Sequence, residues 1–457
     1  MRSCTALLLL LCLLGRTAAQ RTKAPSAPAS VSGATEPVPA TFFGLHINHA
    51  PSKWPPFAFG SYRFWDDGAR WQLIETAPDR FEWKVLDYWI EKISSHGVKD
   101  VAYPIGGSPP WAVDVQGGEN CDYGTPGRAR SPGPGFCKPP RDLNSDGTGS
   151  NLIWRKAVTA IGEHFQKSPV RVSNWEVWQE FIRRGGENLT AAWIGTNQQL
   201  VRLSEDTRCI VTGRGRVTET NETCEQVLRT VGRKEPLDPD SIIVSPSGGL
   251  GLKVWVQRFA EYWETPGAAE SSDVVGLHLY PSQPEEIFDR FEAWHTTLPK
   301  AVAAKPIWLT EGGWHRNSIT DPDMQMAFVS RFHLLARGIA AGRVYWYSYD
   351  TPTQGELLDT KAGDAYQRVY EWMVGNTLTR CGREGSVYSC SLTRSDGTPM
   401  LAVWDVSRNC SDGRCSTSNY RVPRGFTVYF TLDDANSMPV RGGTVQIGAK
   451  PILLSGK

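Results

Sequence analysis

Arg171-Val-Ser-Asn-Trp-Glu-Val-Trp-Gln-Glu180 opens on strand-forming residues and ends on a glutamate crowded by aromatics. Pro306-Ile-Trp-Leu-Thr-Glu311 repeats the pattern further along the chain. Isolated carboxylates belong on solvated faces, so a Glu closing an apolar strand is a candidate for a shifted pKa. If both strands belong to one barrel, the two acids face each other across its mouth. Two facing carboxylates are the equipment for splitting a glycosidic bond.

Around these two stretches the pattern is a regular alternation. Strand candidates run over 41–47, 60–65, 100–105, 172–178, 241–245, 273–280, 306–310 and 343–349. Helical stripes separate most of them. Leu86, Trp89, Ile90 and Ile93 share one face, and Val329, Phe332, Leu335 and Ile339 share another, behind a capping Asp321-Pro322. Further helices are expected over 152–165, from a cap at Asn188 or Thr190 through Leu203, over 252–263 and around 285–295. A polar insertion carrying Cys209 and Cys224 should follow Leu203. Eight strands alternating with helices predict an α/β fold, a (β/α)8 TIM barrel over 39–376. No Gly-x-Gly-x-x-Gly follows a strand, which disfavours an open dinucleotide-binding sheet. From Thr377 the chain changes to short apolar runs broken by Gly, Asp-Gly and Pro. Residues 377–457 therefore read as a β-sandwich accessory domain.

The ends and the cysteines point to export. Arg2, the apolar run Leu7–Leu14 and Thr17-Ala18-Ala19 form a signal peptide over 1–19, and residues 20–38 read as a flexible linker. No later stretch is long and apolar enough to span a membrane. Losing Arg2 and Arg16 leaves 47 basic against 48 acidic residues, from 49 and 48, so no electrostatic footprint for nucleic acid or an anionic membrane remains. A secreted or periplasmic location follows. Eight cysteines stay in the mature chain, as close neighbours that predict the disulfides Cys121–Cys137, Cys209–Cys224, Cys381–Cys390 and Cys410–Cys415. Asn188 and Asn221 sit in Asn-x-Thr sequons. In the long loop 106–149, Asp142, Asn144 and Asp146 are spaced like half a calcium loop. Its twelfth position is Ile153 instead of a bidentate Glu, so a plain Asp/Asn turn is the reading.

Strand alternation places Asn174, Glu176, Trp178 and Glu180 on one side, with Glu176 a deep structural acid and Glu180 at the rim. Arg63 is the expected donor to Glu311. His278 and Tyr280 close strand six on one side, and Trp346 and Tyr347 lie near the end of strand eight. Trp111 and Trp314 are candidates for stacking on sugar rings, in a chain with 18 Trp. His46, His49 or His278 could ligate a metal, but cleavage between two carboxylates needs none, and no metal or other cofactor is expected.

Several of these stretches resemble the clan-A glycoside hydrolases, most closely glycoside hydrolase family 39 and its bacterial relatives. They are Tyr62-Arg-Phe-Trp-Asp66, Phe81-Glu-Trp83 with Asp87, Ser108-Pro-Pro-Trp111, Trp175-Glu-Val-Trp-Gln-Glu180, Gly276-Leu-His-Leu-Tyr-Pro281 and Ile307-Trp-Leu-Thr-Glu-Gly312. Together they cover essentially 41–350, and Gly448-Ala-Lys-Pro-Ile-Leu-Leu454 resembles the closing strand of that family's β-sandwich. The resemblance implies retaining hydrolysis of β-linked oligo- or polysaccharide, with Glu180 as acid/base and Glu311 as nucleophile. It also implies an Asn before the acid/base, touching the sugar 2-hydroxyl; this chain has Gln179, which offers the same amide one methylene further out. A transglycosylase, an α-L-pentofuranoside-cleaving retaining enzyme and a non-hydrolytic carbohydrate-binding protein are the alternatives. Exo or endo action and oligomeric state are not legible.

Overall fold

The computed structural model describes residues 30–32, 35–50, 52–114, 135–181, 193–249 and 253–456. The expected signal peptide, most of the linker, Cys121 and Asn188 lie outside them. Eight parallel strands form the central sheet: β1 (Phe43–Leu45), β2 (Ser61–Arg63), β3 (Asp100–Ile105), β4 (Asn174–Val177), β5 (Ile242–Val244), β6 (Val275–Leu279), β7 (Ile307–Gly312) and β8 (Val344–Trp346). Neighbours pair in the order β5-β4-β3-β2-β1-β8-β7-β6, and Gly248–Gly249, prolonging β5, pairs with β6. A bridge between Val244 and Val274 joins the two ends of that order, so the sheet curls round on itself. The barrel expected from the alternation is therefore present.

Seven longer helices wrap it: α1 (Lys84–Ser95), α2 (Leu152–Gln166), α3 (Asn197–Thr212), α4 (Lys253–Trp263), α5 (Glu286–His295), α6 (Pro322–Gly338) and α7 (Lys361–Met373). Each begins or packs for a local reason. The α1 stripe Leu86, Trp89, Ile90 and Ile93 is buried against the sheet, and the Asp321 carboxylate caps α6 by accepting from the backbone of Asp323 and Met324. Two expectations need correcting. Helix α3 starts later than Asn188 or Thr190 and runs past Leu203 to Thr212, because Thr196 and Gln199 form a reciprocal capping box. Cys209 thus sits on that helix instead of in the polar insertion expected after Leu203, and Cys224 opens a short helix, Cys224–Thr230.

The C-terminal region is antiparallel throughout. Its main sheet contains β9 (Thr377–Glu384), β10 (Val387–Thr393), β11 (Pro399–Asp405), β12 (Phe426–Phe430) and β13 (Ile452–Gly456), in the order β9-β10-β11-β13-β12. Val445 and Ile447, from a separate two-stranded ladder, pack on Val403, Ile452 and Leu454 of the main sheet. Within the stretch expected to be a flexible linker, Ser30–Ser32 forms a strand along β9, which satisfies an otherwise open sheet edge. Three disulfides join the neighbours expected: Cys209–Cys224, Cys381–Cys390 and Cys410–Cys415. The sheet is tied to the barrel through Glu285, whose carboxylate accepts from the Trp404 indole at 2.8 Å and pairs with Arg331 at 3.3 Å.

Candidate active site

The carboxyl ends of the barrel strands gather the polar side chains, and two irregularities set their positions. Pairing of β4 stops at Val177. Trp178 and Glu180 then take left-handed backbone, with φ of 62° and 49°. Such φ values are costly for bulky residues and recur at functional sites. The kink is pinned to the prolongation of β5: the Glu180 N–H donates to Ser247 Oγ at 3.1 Å, and the Ser247 N–H donates to the Trp178 carbonyl at 3.2 Å. Regular alternation to Glu180 is therefore broken, and Trp178 turns away to pack edge-on against Trp193. The second irregularity is a bulge in β7. Leu277 pairs with Leu309, but His278 pairs with Glu311, so the ladder skips Thr310. That extra residue aims Glu311 at His278.

His278 Nδ1 lies 3.1 Å from Glu180 Oε1 and 3.3 Å from Glu311 Oε2. Two carboxylate oxygens face that nitrogen, so it carries the proton; a bare lone pair would repel both. Burial depresses the imidazole, but the charges of Glu311 and Glu180 outweigh it and raise the pKa above 6.5. One oxygen from each glutamate and the ring nitrogen lie within 4.8 Å of one another. This is the one set among the described residues whose spacing would also admit a divalent cation. His46 and His49 do not join it.

Beneath this trio, Arg63 reaches four partners. Nε and Nη2 donate to Glu176 at 2.7 and 2.8 Å, Nη1 donates to Glu311 at 3.2 Å, and Nη2 also meets Gln179 Oε1 at 3.3 Å. Glu176 is the principal partner, a fully buried acid neutralised by a bidentate guanidinium. The imidazole of His46 sits 3.2 Å from Nη1; burial and the Arg63 charge push its pKa well down, keeping it neutral. Tyr280 donates to Glu311 Oε2 at 2.9 Å. Burial pushes the Glu311 carboxyl up to about 7, while His278 and Arg63 pull it back toward ionisation. The two glutamates differ in access: the Glu180 side chain is 20% exposed and that of Glu311 5%.

Other expected site residues divide. Tyr347 stands at the rim and donates to Asp66 Oδ2 at 2.5 Å. Trp111 is half-buried, its indole N–H donating to the Glu75 carbonyl at 2.9 Å. Trp314 and Trp346 are corrected: both are buried and pack on each other and on Phe328, with no face open to a ligand. Asp66, three residues past β2, was missed as a site residue, although it stands in the quoted Tyr62–Asp66 stretch. The 142–146 stretch, read as a plain Asp/Asn turn, closes on itself, with Asp146 accepting from Thr148 and Asp142 from Ser150 and Ile153. A groove of about 460 Å³ between α1 and α2, lined by Asp87, Glu91, His164 and Lys167, lies on the outer wall, away from the carboxylates.

Residues 234–370 match the family model described as glycosyl hydrolase catalytic core. No curated protein matches the sequence. Among solved structures, a family 39 glycoside hydrolase from the gut symbiont Bacteroides cellulosilyticus is similar, with TM-score 0.58 and 16% identity, covering 92% of this chain and 81% of that one. A family 30 endoxylanase from Clostridium papyrosolvens has TM-score 0.53 and 11% identity, covering 93% and 98%. A conserved exported protein from Bacteroides fragilis has TM-score 0.54 and 10% identity, covering 91% and 92%. At such identities these structures establish the fold. The family model agrees with the resemblance to glycoside hydrolases that the motifs carried, and these structures share the fold.

Proposed function

We propose that this chain is a secreted or periplasmic retaining glycoside hydrolase acting on β-linked oligo- or polysaccharide by double displacement. The observation that carries the reading is the spacing of the two glutamates, one oxygen of each within 4.8 Å of the other. Retaining enzymes hold their carboxyl groups about 5–5.5 Å apart, whereas inverting ones leave about 6.5–9.5 Å for a water. The shorter spacing suits direct attack on the anomeric carbon.

The surroundings assign the roles. Glu311 is buried and receives hydrogen bonds from Arg63 and Tyr280, which favour its ionised, attacking form. Glu180, the more accessible of the two, protonates the departing oxygen and then takes a proton from water as that water releases the glycosyl-enzyme. His278 bridges both, and as charge leaves Glu311 in the first step its proton can follow Glu180. Gln179, fixed through its Oε1 by Arg63, offers its amide nitrogen to the sugar. Export is supported by the signal-like 1–19, by the three local disulfides and by the exported structural neighbour.

Azide rescue tests the assignment. Glu311→Ala should lose turnover of every substrate, and azide should yield a glycosyl azide of inverted configuration. Glu180→Ala should keep the first step for leaving groups that need no proton, and azide should then give the retained anomer. The same azide product from both variants would contradict the roles.

A further inference from the structure

Three carboxylates, not two, meet near the carboxyl ends of β2, β4 and β7. Asp66 follows β2 on the same end of the barrel as Glu180 and Glu311, close enough for its charge to act on Glu311. Its side chain is 32% exposed, more than that of either glutamate. Tyr347 holds Oδ2, and Arg70 Nη1 pairs with Oδ1 as an ion pair at 3.7 Å, beyond hydrogen-bond distance. Arg70 is itself held over the rings of Trp65 and Phe136, each at 5.5 Å. Oδ1 therefore keeps its acceptor capacity.

The position of Asp66 relative to the nucleophile is set by two tyrosines. Tyr280 donates to Glu311 and Tyr347 to Asp66, and their rings stand perpendicular with centroids 6.5 Å apart. Two phenol-to-carboxylate bonds from neighbouring rings thus link a partly exposed acceptor to the buried attacking group. Nothing in the two-step displacement uses it. A sugar whose anomeric carbon lies against Glu311 would bring its ring hydroxyls toward Asp66, whose charge acts on Glu311.

Resting on the glycosidase reading, we propose that Asp66 is a specificity residue that accepts a hydrogen bond from one ring hydroxyl of the reacting sugar. Its charge, added to those of the two glutamates, selects neutral glycosides over the corresponding uronides. Tyr347 is the positioning residue that presents it.

The test is a panel of nitrophenyl glycosides, their monodeoxy analogues and the matching uronides, assayed with the unaltered protein, Asp66→Ala, Asp66→Asn and Tyr347→Phe. Asp66→Ala should lower kcat/KM for the preferred glycoside about 10- to 100-fold, the loss expected when a bond to a charged acceptor goes. One monodeoxy analogue should lose the same factor with the unaltered protein and suffer no further loss from Asp66→Ala. Asp66→Asn, which keeps an acceptor but drops the charge, should narrow the gap between neutral glycoside and uronide. Tyr347→Phe should follow the pattern of Asp66→Ala at smaller amplitude, sparing the monodeoxy analogue that Asp66→Ala spares. Equal sensitivity of every deoxy analogue to Asp66→Ala would overturn the proposal and leave Asp66 as a mere anchor for Tyr347. An Asp66→Asn protein with an unchanged uronide gap would overturn the charge selection. If the unaltered protein turned over no member of the panel, the glycosidase reading itself would fall.

Discussion

Replacing Arg63 with methionine separates what this residue does for the fold from what it does for the site. Arg63 and Glu176 have fully buried side chains joined by two bonds of 2.7 and 2.8 Å. Methionine fills most of the volume but strands the Glu176 charge in the barrel. Breaking a buried pair from one side costs about 3–5 kcal/mol. With an unfolding entropy of about 2.1 cal/mol/K per residue over a barrel of about 340 residues, each kcal/mol shifts Tm by about 1.4 °C, hence a drop of about 4–7 °C. Adding Glu176→Met removes the stranded charge and should restore most of that Tm. Activity should not return, because Glu311 has still lost the Nη1 donor at 3.2 Å. Thermal unfolding and aryl-glycoside turnover of the two variants measure both halves. A single variant that melts within 1 °C of the parent, or a double variant that melts lower still, would refute the buried-pair account. A double variant with recovered activity would refute the role of Arg63 at Glu311.

Trp314→Ala should cost about 3–5 kcal/mol of stability because its ring is core, whereas Trp111→Ala should keep the Tm and weaken substrate binding by roughly 1–3 kcal/mol; thermal melts with kinetics decide, and the reverse outcome would exchange their roles. Between pH 5 and 8 the Glu311 carboxyl should make the melting temperature fall as pH rises, against the opposite slope of His46 and His333, which burial keeps neutral. Glu311 has a folded pKa of about 7 against 4.5 unfolded, so the native state holds a proton the unfolded chain releases, and stability drops as pH rises through that window. His278, raised above 6.5, adds to the same slope: its contribution is complete below 6.5 and is lost as pH rises through its folded value. Asp67, Glu75 and Glu205, also pushed to about 7 by burial, contribute to the slope that remains in Glu311→Gln, which should fall less steeply with pH than the parent's; equal slopes would contradict the assignment. Under mild reduction Cys410–Cys415, with Cys415 partly exposed, should be alkylated before the wholly buried Cys381–Cys390, as peptide mapping would show; equal rates would contradict it.

The barrel was legible because its signals are local and repeated. Apolar runs ending in Glu180, His278-Leu-Tyr280 and Glu311 marked the carboxyl ends of β4, β6 and β7 without any knowledge of packing. What escaped depends on long-range geometry. Trp178 and Glu180 turn left-handed because Ser247, far along the chain, holds the kink, and no pattern in Trp175–Glu180 foretells that. The bulge at Thr310 is fixed by pairing with β6, so strand parity alone could not put Glu311 opposite His278. Trp314 follows the nucleophile strand as a stacking residue would, yet Phe328 of α6 and Trp346 of β8 close over it. Asp66 read as the end of a strand motif because its importance lies in Tyr347, contributed from the end of β8, two strands round the barrel.

The measurement that bears most directly on the central claim is the configuration of the first-formed product. With the best aryl glycoside of the panel, proton NMR in the first seconds of hydrolysis distinguishes the two anomers before mutarotation mixes them. Attack by Glu311 followed by attack of water predicts a hemiacetal of the same anomeric configuration as the substrate. Initial appearance of the opposite anomer would contradict the account, since it requires a water where the structure places a carboxylate.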